Sequence, residues 1–214
     1  MNPEFWRERW QQKQIGFHQS TVHPMLLAYW SRLAPKASES VFVPLCGKSL
    51  DMWWLREQGH EVVGVELSQL AVEQFFAEAK LTPQKTHVGS LERWSAQGVT
   101  IYCGDFFALT AEHVANCSLV FDRAALIALP LELRDRYRTH LNTILPKPAR
   151  TLLITIEYAQ NQMSGPPFSV PATEVKGTFA KHQLLTSEDA MASNANLAAR
   201  GVTALSEAAW RIDY

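Results

Sequence analysis

The sequence predicts a doubly wound α/β domain, a mostly parallel sheet between two helical layers, with a helical extension before it and an antiparallel pair at its C-terminal edge. Three observations predict it. Between Val41 and Tyr158, short apolar runs rich in β-branched residues alternate with helix-length segments, the rhythm of parallel βαβ units. Those runs are continuous rather than alternating, as strands covered on both faces should be. The chain of 214 residues, 47% hydrophobic and 19% charged, has the composition of one globular domain.

In order, Pro3–Gln14 reads as a helix with Asn2 as N-cap and Pro3 at its first position. Pro24–Leu33 reads as a short helix that stops before Pro35. Val41–Leu45 is the first strand, and Ser49–Gly59 a helix closed by glycine. Glu61–Leu67 is the second strand, after which Ser68 caps a helix running to about Lys80. Further strands follow at Val99–Asp105, Cys117–Arg123 and Thr151–Tyr158, with a helix from about Leu131 to Leu145 before the last of them. Beyond Gln160 the chain is rich in Gly, Pro, Ser and Ala, and its strand candidates, His182–Thr186 and Thr203–Ile212, are expected to pair antiparallel at one edge. The whole is expected to be one domain: a helical cover over 1–35, a core over 40–160 and an acceptor-side segment over 161–214.

Twenty Lys+Arg against 21 Asp+Glu leave a net charge of −1, which lacks the footprint of a nucleic-acid binder and points to small-molecule partners. Three cysteines with no CxxC pair argue against a disulfide framework or a structural zinc, and fit a reducing, cytoplasmic setting. No run approaches the ~20 apolar residues of a membrane span, and the charged first fifteen residues show no secretory signal. No carboxylate or thiol joins His18 and His23 at ligand spacing, so no metal is expected. The near-neutral charge is compatible with a monomer.

In open α/β sheets ligands sit beyond the carboxyl ends of the strands. The first strand tip, PLCGKS, is not a phosphate cradle, because Phe42 stands where G-x-x-x-x-G-K-[ST] requires glycine. The dinucleotide fingerprint is absent too, with a single glycine in the loop. Glu66 ends the second strand 21 residues after Leu45, where a carboxylate can accept from both ribose hydroxyls. Asp105, ending the third, either accepts from an adenine amino group or caps the segment that follows. A nucleoside without phosphate suggests S-adenosylmethionine, whose sulfonium favours aromatic faces and carboxylates over arginine clusters. Trp6 and Trp10 stand at i, i+4 on one helical face, with Phe17 beyond a glycine turn, and together they suit a lid over a flat purine.

FW-x3-W-x6-F-H-Q, VFVPLCGKSLDMWWL, GHEVVGVELS, IYCGDFF, FDRAALIAL and GPPFSVP occur here in order, and over about Glu4 to Pro171 the chain resembles the bacterial branch of the thiopurine S-methyltransferase family. That resemblance implies a seven-stranded class I S-adenosylmethionine-dependent methyltransferase sheet with an N-terminal cover. It implies that Trp10 and Leu45 contact the cofactor, that Glu66 binds the ribose and that the Asp105–Phe106 backbone approaches the adenine. It places Arg123 near cofactor and acceptor, and Trp6 and Phe17 along both pockets. The acceptor side departs from mammalian members, which carry an arginine where this chain reads EVKG around Lys176–Gly177.

A thiol attacks a methyl carbon best as its anion, and Arg123 is the candidate cation that would hold that anion, unless it pairs with Asp122 or another carboxylate instead. His18 and Asp122 are candidate proton acceptors, Phe168 in GPPFSVP a candidate lid over the acceptor, and Cys46 a packing residue. The leading expectation is S-methylation of thiopurine-like or other aromatic and heterocyclic thiols. Alternatives are methylation of selenium or tellurium oxyanions, as the resemblance allows, a non-catalytic cofactor-binding module, and a nucleotide-dependent oxidoreductase, which the missing glycine fingerprint disfavours.

Overall fold

Residues 3–214 are described by a computed structural model, so the N-cap expected at Asn2 lies outside the described residues. The strands are β1 (Val41–Val43), β2 (Val62–Glu66), β3 (Gln84–Val88), β4 (Leu91–Ala96), β5 (Val99–Cys103), β6 (Leu119–Asp122), β7 (Arg150–Glu157), β8 (His182–Asp189) and β9 (Ser206–Asp213). The helices are α1 (Pro3–Gln11), α2 (Pro24–Tyr29), α3 (Asp51–Glu57), α4 (Gln69–Glu78), α5 (Leu131–Ile144), α6 (Ala172–Thr178) and α7 (Ala195–Ala198).

All nine strands form one sheet in the order β3-β4-β5-β2-β1-β6-β7-β9-β8. The five central strands are parallel. Each side ends in an antiparallel pair, β4 and β3 beyond β5, and β9 and β8 beyond β7. The sheet thus has nine strands where seven were expected, and the two additions are β3 and β4. Every residue of β3, Gln84-Lys85-Thr86-His87-Val88, is exposed, so this strand has no apolar face to announce it. The signal that was present is the two-residue Gly89-Ser90 turn between Val88 and Leu91, with Gly89 at φ +61°.

Side chains of β1 leave it on alternate faces. Val41 and Val43 enter a core with Leu55, Phe75, Phe76 and Trp94, while Phe42 enters another with Val120, Tyr137 and Leu153. Each such side chain, fully buried, is worth about 1.5–3 kcal/mol of transfer free energy, which is why both faces are covered by helices. A smaller third cluster, with Tyr158, Met163, Leu197 and Leu205, lies under the C-terminal segment.

Helix ends follow the local chemistry. Ser68 caps α4 with its Oγ accepting from the Ala71 N–H (3.4 Å), and Gly59 (φ +95°) turns the chain out of α3. Buried His23 caps α2 through its ring, Nδ1 accepting from the Met25 N–H (3.3 Å), with Pro24 at the first position. α1 is shorter than expected, ending at Gln11 because Lys13 adopts φ +56°.

Candidate active site

Central parallel strands share one direction, and at β1 the winding reverses, β2 lying on one side and β6 on the other. The carboxyl ends of β1, β2, β5 and β6 open there into a cavity of about 740 Å³. α1 and the segment after it cover one flank, and Pro166, Pro167 and the residues around α7 close the other.

The β1 tip is shaped by backbone rather than by side-chain charge. Leu45 (φ +47°) and Gly47 (φ +54°) are both left-handed, which for leucine costs about 1–2 kcal/mol. The Cys46 N–H donates to the Val65 carbonyl (3.0 Å) and holds the strained tip against β2. A Cβ on Gly47 would stand 3.2 Å from Trp10 Cζ2, so glycine lets the buried indole lie on the loop. At Gly64 a Cβ would stand 2.7 Å from Cys46 Sγ and 2.9 Å from Met52 Cε, which makes glycine necessary where β2 passes the tip.

Glu66 is buried at the end of β2, yet its carboxylate lines the cavity. Oε1 accepts from the Ser68 N–H (2.7 Å) and Oε2 from the Gly47 N–H (2.9 Å). Burial raises its pKa, while these N–H groups and that of Leu67 oppose the rise. A carboxylate has about four lone-pair sites, so acceptor capacity remains on a group already fixed in position. This suits a pair of vicinal hydroxyls.

Asp105 is exposed at the cavity rim, and its Oδ1 accepts from the Phe107 N–H (2.9 Å). Its side chain therefore caps the 3₁₀ turn Phe106–Ala108. Phe106 lines the cavity with its ring packed 4.9 Å from that of Tyr137. In the cover, Phe17 stands edge-on to both Trp6 and Trp10, with ring centroids 5.7 Å apart in each case. Trp6, Trp10, Phe17 and His18 all line the cavity. Burial lowers the His18 pKa, helped by Lys48.

Beyond β6, Asp122 and Arg123 diverge. Asp122 faces the core, where its carboxylate accepts from Tyr137 OH (2.7 Å) and the Leu126 N–H (3.1 Å). Burial pushes its pKa up to about 6, against those two hydrogen bonds. It does not line the cavity, so it is not placed to take a proton from a ligand there. Arg123 does line the cavity, and among the described residues no hydrogen bond or ion pair holds its guanidinium. Burial draws its pKa down, and the carboxylates of Asp51 and Glu207 oppose this. The expected alternative, a salt bridge with Asp122 or another carboxylate, is not formed among the described residues.

Phe168 does not line the cavity, although its neighbours Pro166 and Pro167 do. A Cβ on Gly165 would meet its ring at 2.5 Å, so the ring lies over that glycine. Around Lys176–Gly177, α6 stays outside the cavity. Asn194, Asn196, Leu197 and Arg200 line it instead. Their only sequence signal is polarity between two strands, which a solvated loop shares. Asp51 and Glu207 also line the site unforeseen, although Glu207 is the one charge within SEAAW, the first five residues of β9.

Comparison with known proteins places this arrangement. Thiopurine S-methyltransferase of Pseudomonas fluorescens (strain Pf0-1) is 47% identical over 215 residues, 99% of each chain. The protein of that name from Nitrosospira multiformis is 47% identical over 210 residues, 97% of this chain and 96% of the relative. A solved S-adenosylmethionine-dependent methyltransferase from Anabaena variabilis shares the fold with a TM-score of 0.64 at 12% identity, over 100% of this chain and 96% of that one. Another, the 1,6-didemethyltoxoflavin-N1-methyltransferase of Burkholderia thailandensis, has a TM-score of 0.63 at 13% identity, over 98% and 86%. The fold is therefore that of the class I methyltransferases, with the sheet extended to nine strands. The thiopurine S-methyltransferase family model matches residues 1–214, and the chain belongs to that family.

Proposed function

We propose that this protein transfers a methyl group from S-adenosylmethionine to the sulfur of thiopurines and related aromatic or heterocyclic thiols. The observation that carries the reading is Glu66: a carboxylate pinned by two backbone N–H groups, with free lone pairs, at the switch point under an aromatic cover. Family membership agrees with it.

The residues fit the donor. Glu66 would hold the ribose hydroxyls, the backbone at Asp105–Phe106 the adenine, and Leu45, Trp6, Trp10 and Arg123 the rest of the cofactor wall. When bound, the cofactor supplies an electrophilic methyl carbon on a positively charged sulfur. Trp6, Trp10 and Phe17 exclude water, which strengthens every electrostatic contact inside. Arg123 stays protonated and so cannot act as a base. It lowers the acceptor's thiol pKa and holds the anion in line, and positioning of this kind supplies several kcal/mol of the barrier reduction. Phe17 would wall the acceptor, and Phe168 would support that wall from behind Pro166 and Pro167.

Apolar walls favour an aromatic acceptor over a selenium or tellurium oxyanion. An exposed scaffold would have no use for a carboxylate buried at a strand tip, which disfavours a non-catalytic module. By this division residues 1–35 cover the cofactor, 40–160 hold it and 161–214 form the acceptor side. No helix among the described residues is long and apolar enough to cross a membrane. We take the protein to act as a cytoplasmic monomer on small molecules, which its three free cysteines suit.

Methyl transfer from labelled S-adenosylmethionine to 6-mercaptopurine, with wild type beside Arg123→Ala, tests the reading. The expected result is transfer by wild type and a loss of about 100-fold or more in the variant with cofactor affinity within about threefold, the cost of no longer holding the acceptor as its anion in line with the methyl carbon. A wild type that binds the cofactor but leaves 6-mercaptopurine and other aromatic thiols unmethylated would overturn it.

A further inference from the structure

Two cavity-lining carboxylates remain outside that mechanism, Asp51, the first residue of α3, and Glu207 on β9, as does buried His23 at the start of α2. His23 joins the two carboxylates. Its backbone N–H donates to Asp51 Oδ1 (2.8 Å), and its ring Nε2 lies 3.3 Å from Glu207 Oε1. Because Nδ1 accepts from the Met25 N–H, the ring proton sits on Nε2 and is donated to Glu207. Ser49 Oγ donates to the other oxygen of Asp51 (2.8 Å). Residues 28 and 184 positions from His23 are thus joined through one histidine, Asp51 by its backbone N–H and Glu207 by its ring.

Arg123 lines the same cavity, feels the charge of both carboxylates, and among the described residues has no hydrogen-bond partner. A cavity that receives a sulfonium and a sulfur anion together has opposing requirements. A fully expressed arginine charge would hold the anion and repel the donor, and both charges disappear as the methyl group moves. We propose that Asp51 and Glu207, tied together by His23 on the wall of the cavity that Arg123 also lines, offset part of the Arg123 charge, so that they set how strongly the cavity favours an anionic sulfur acceptor. The inference rests on the proposed acceptor class and gives these residues an electrostatic role that acts through Arg123. Other charged or titratable groups around the cavity are Arg9 on α1, His18, Cys46 and Lys48 after β1, Glu66, Asp105, Arg136 and Tyr137 on α5 and Arg200 after α7. They are common to every variant compared below.

The test titrates 6-mercaptopurine bound to protein loaded with S-adenosylhomocysteine, reading thione and thiolate by ultraviolet absorbance, so that no turnover is required. Glu207→Gln and Asp51→Asn keep an oxygen acceptor for His23 and remove one charge each. Both are expected to lower the bound acceptor's apparent pKa by roughly 0.5–1 unit, and Arg123→Gln to raise it by roughly 1–2 units. Loss of a merely structural contact would weaken folding or S-adenosylhomocysteine binding but would not move the titration downward. The two isosteric variants stand on different elements, so either alone serves if the other does not fold. An unmoved or raised pKa in the folded variants would overturn the inference while leaving the acceptor class intact. Absence of bound thiolate in wild type would overturn the acceptor reading and this inference with it.

Discussion

The two flanks of the cavity are held by different means. On the β1–β2 side, backbone does the positioning: a left-handed Leu45–Gly47 tip and the N–H groups of Gly47 and Ser68 fix Glu66. On the side of Pro166 and Pro167, side chains do it. Arg134 is buried on α5 and donates to the carbonyls of Leu129 and Ser169 (2.9 Å each) and to Glu174 (2.6 Å). Gln160 accepts from the Ser169 N–H (2.9 Å) and donates to the Met163 carbonyl (2.7 Å), Tyr158 OH donates to the Pro167 carbonyl (2.7 Å), and Arg200 to that of Pro166 (2.9 Å). A wall built on strand tips varies little without refolding the sheet. A wall hung from side chains can be re-cut by substitution while the sheet persists, which suits a constant donor and a variable acceptor.

The largest expected effect comes from cutting the side-chain flank. Arg134→Ala strands Glu174 and two carbonyls, and breaking a buried pair from one side costs about 3–5 kcal/mol. Urea unfolding should show that loss, and the thiol KM should rise far more than the cofactor Kd. If the cofactor Kd rose as much, the two flanks would not be separable.

Next is the core-facing carboxylate. Its pKa is raised from the ordinary 3.8 to about 6 in the folded protein, so between about pH 4 and 6 the folded state binds the extra proton. Stability therefore falls as pH rises through that window, and the charged form costs roughly 3 kcal/mol above it. Asp122→Asn should flatten the dependence in unfolding curves taken from pH 4 to 7 and leave cofactor affinity unchanged. A fall in cofactor affinity would place Asp122 functionally in the cavity it does not line.

The smallest effect should be on the backbone-built flank. Glu66→Ala removes charge-assisted hydrogen bonds worth about 1.5–3 kcal/mol, equivalent to roughly 10–100-fold in the Kd for S-adenosylhomocysteine by calorimetry. Unchanged affinity would sink the ribose assignment, and a collapse in stability would mean that Glu66 chiefly ties β2 to the β1 tip.

How far the sequence could be read follows the same division. Val41–Val43, Val62–Glu66 and Leu119–Asp122 were readable because strands covered on both faces must be apolar throughout. Glu66 was readable because it breaks such a run at its carboxyl end. β3 was not, since an edge strand exposed along its length has no hydrophobic pattern, and only Gly89-Ser90 pointed to a hairpin. His182–Thr186 was read shorter than β8, whose exposed residues and bulge near Leu184 weaken the same signal. Phe168 looked like a lid because aromatic residues near prolines suit one, but the φ +77° turn at Gly165 draws its ring aside.

Local chemistry alone determined the succession of strands and helices in the βαβ units, the cap at Ser68, the helix start at Pro24, the carboxylate at the second strand tip and the paired tryptophans of the cover. These depend on neighbours within a few residues, where periodicity and turn preference act. Only the tertiary structure decided that Asp122 turns to Tyr137 while Arg123 turns to the cavity, and that His23 joins Asp51 to Glu207 across the chain. Which charge meets which partner depends on burial and distance between segments far apart in sequence, and neither quantity exists until the sheet has closed around them.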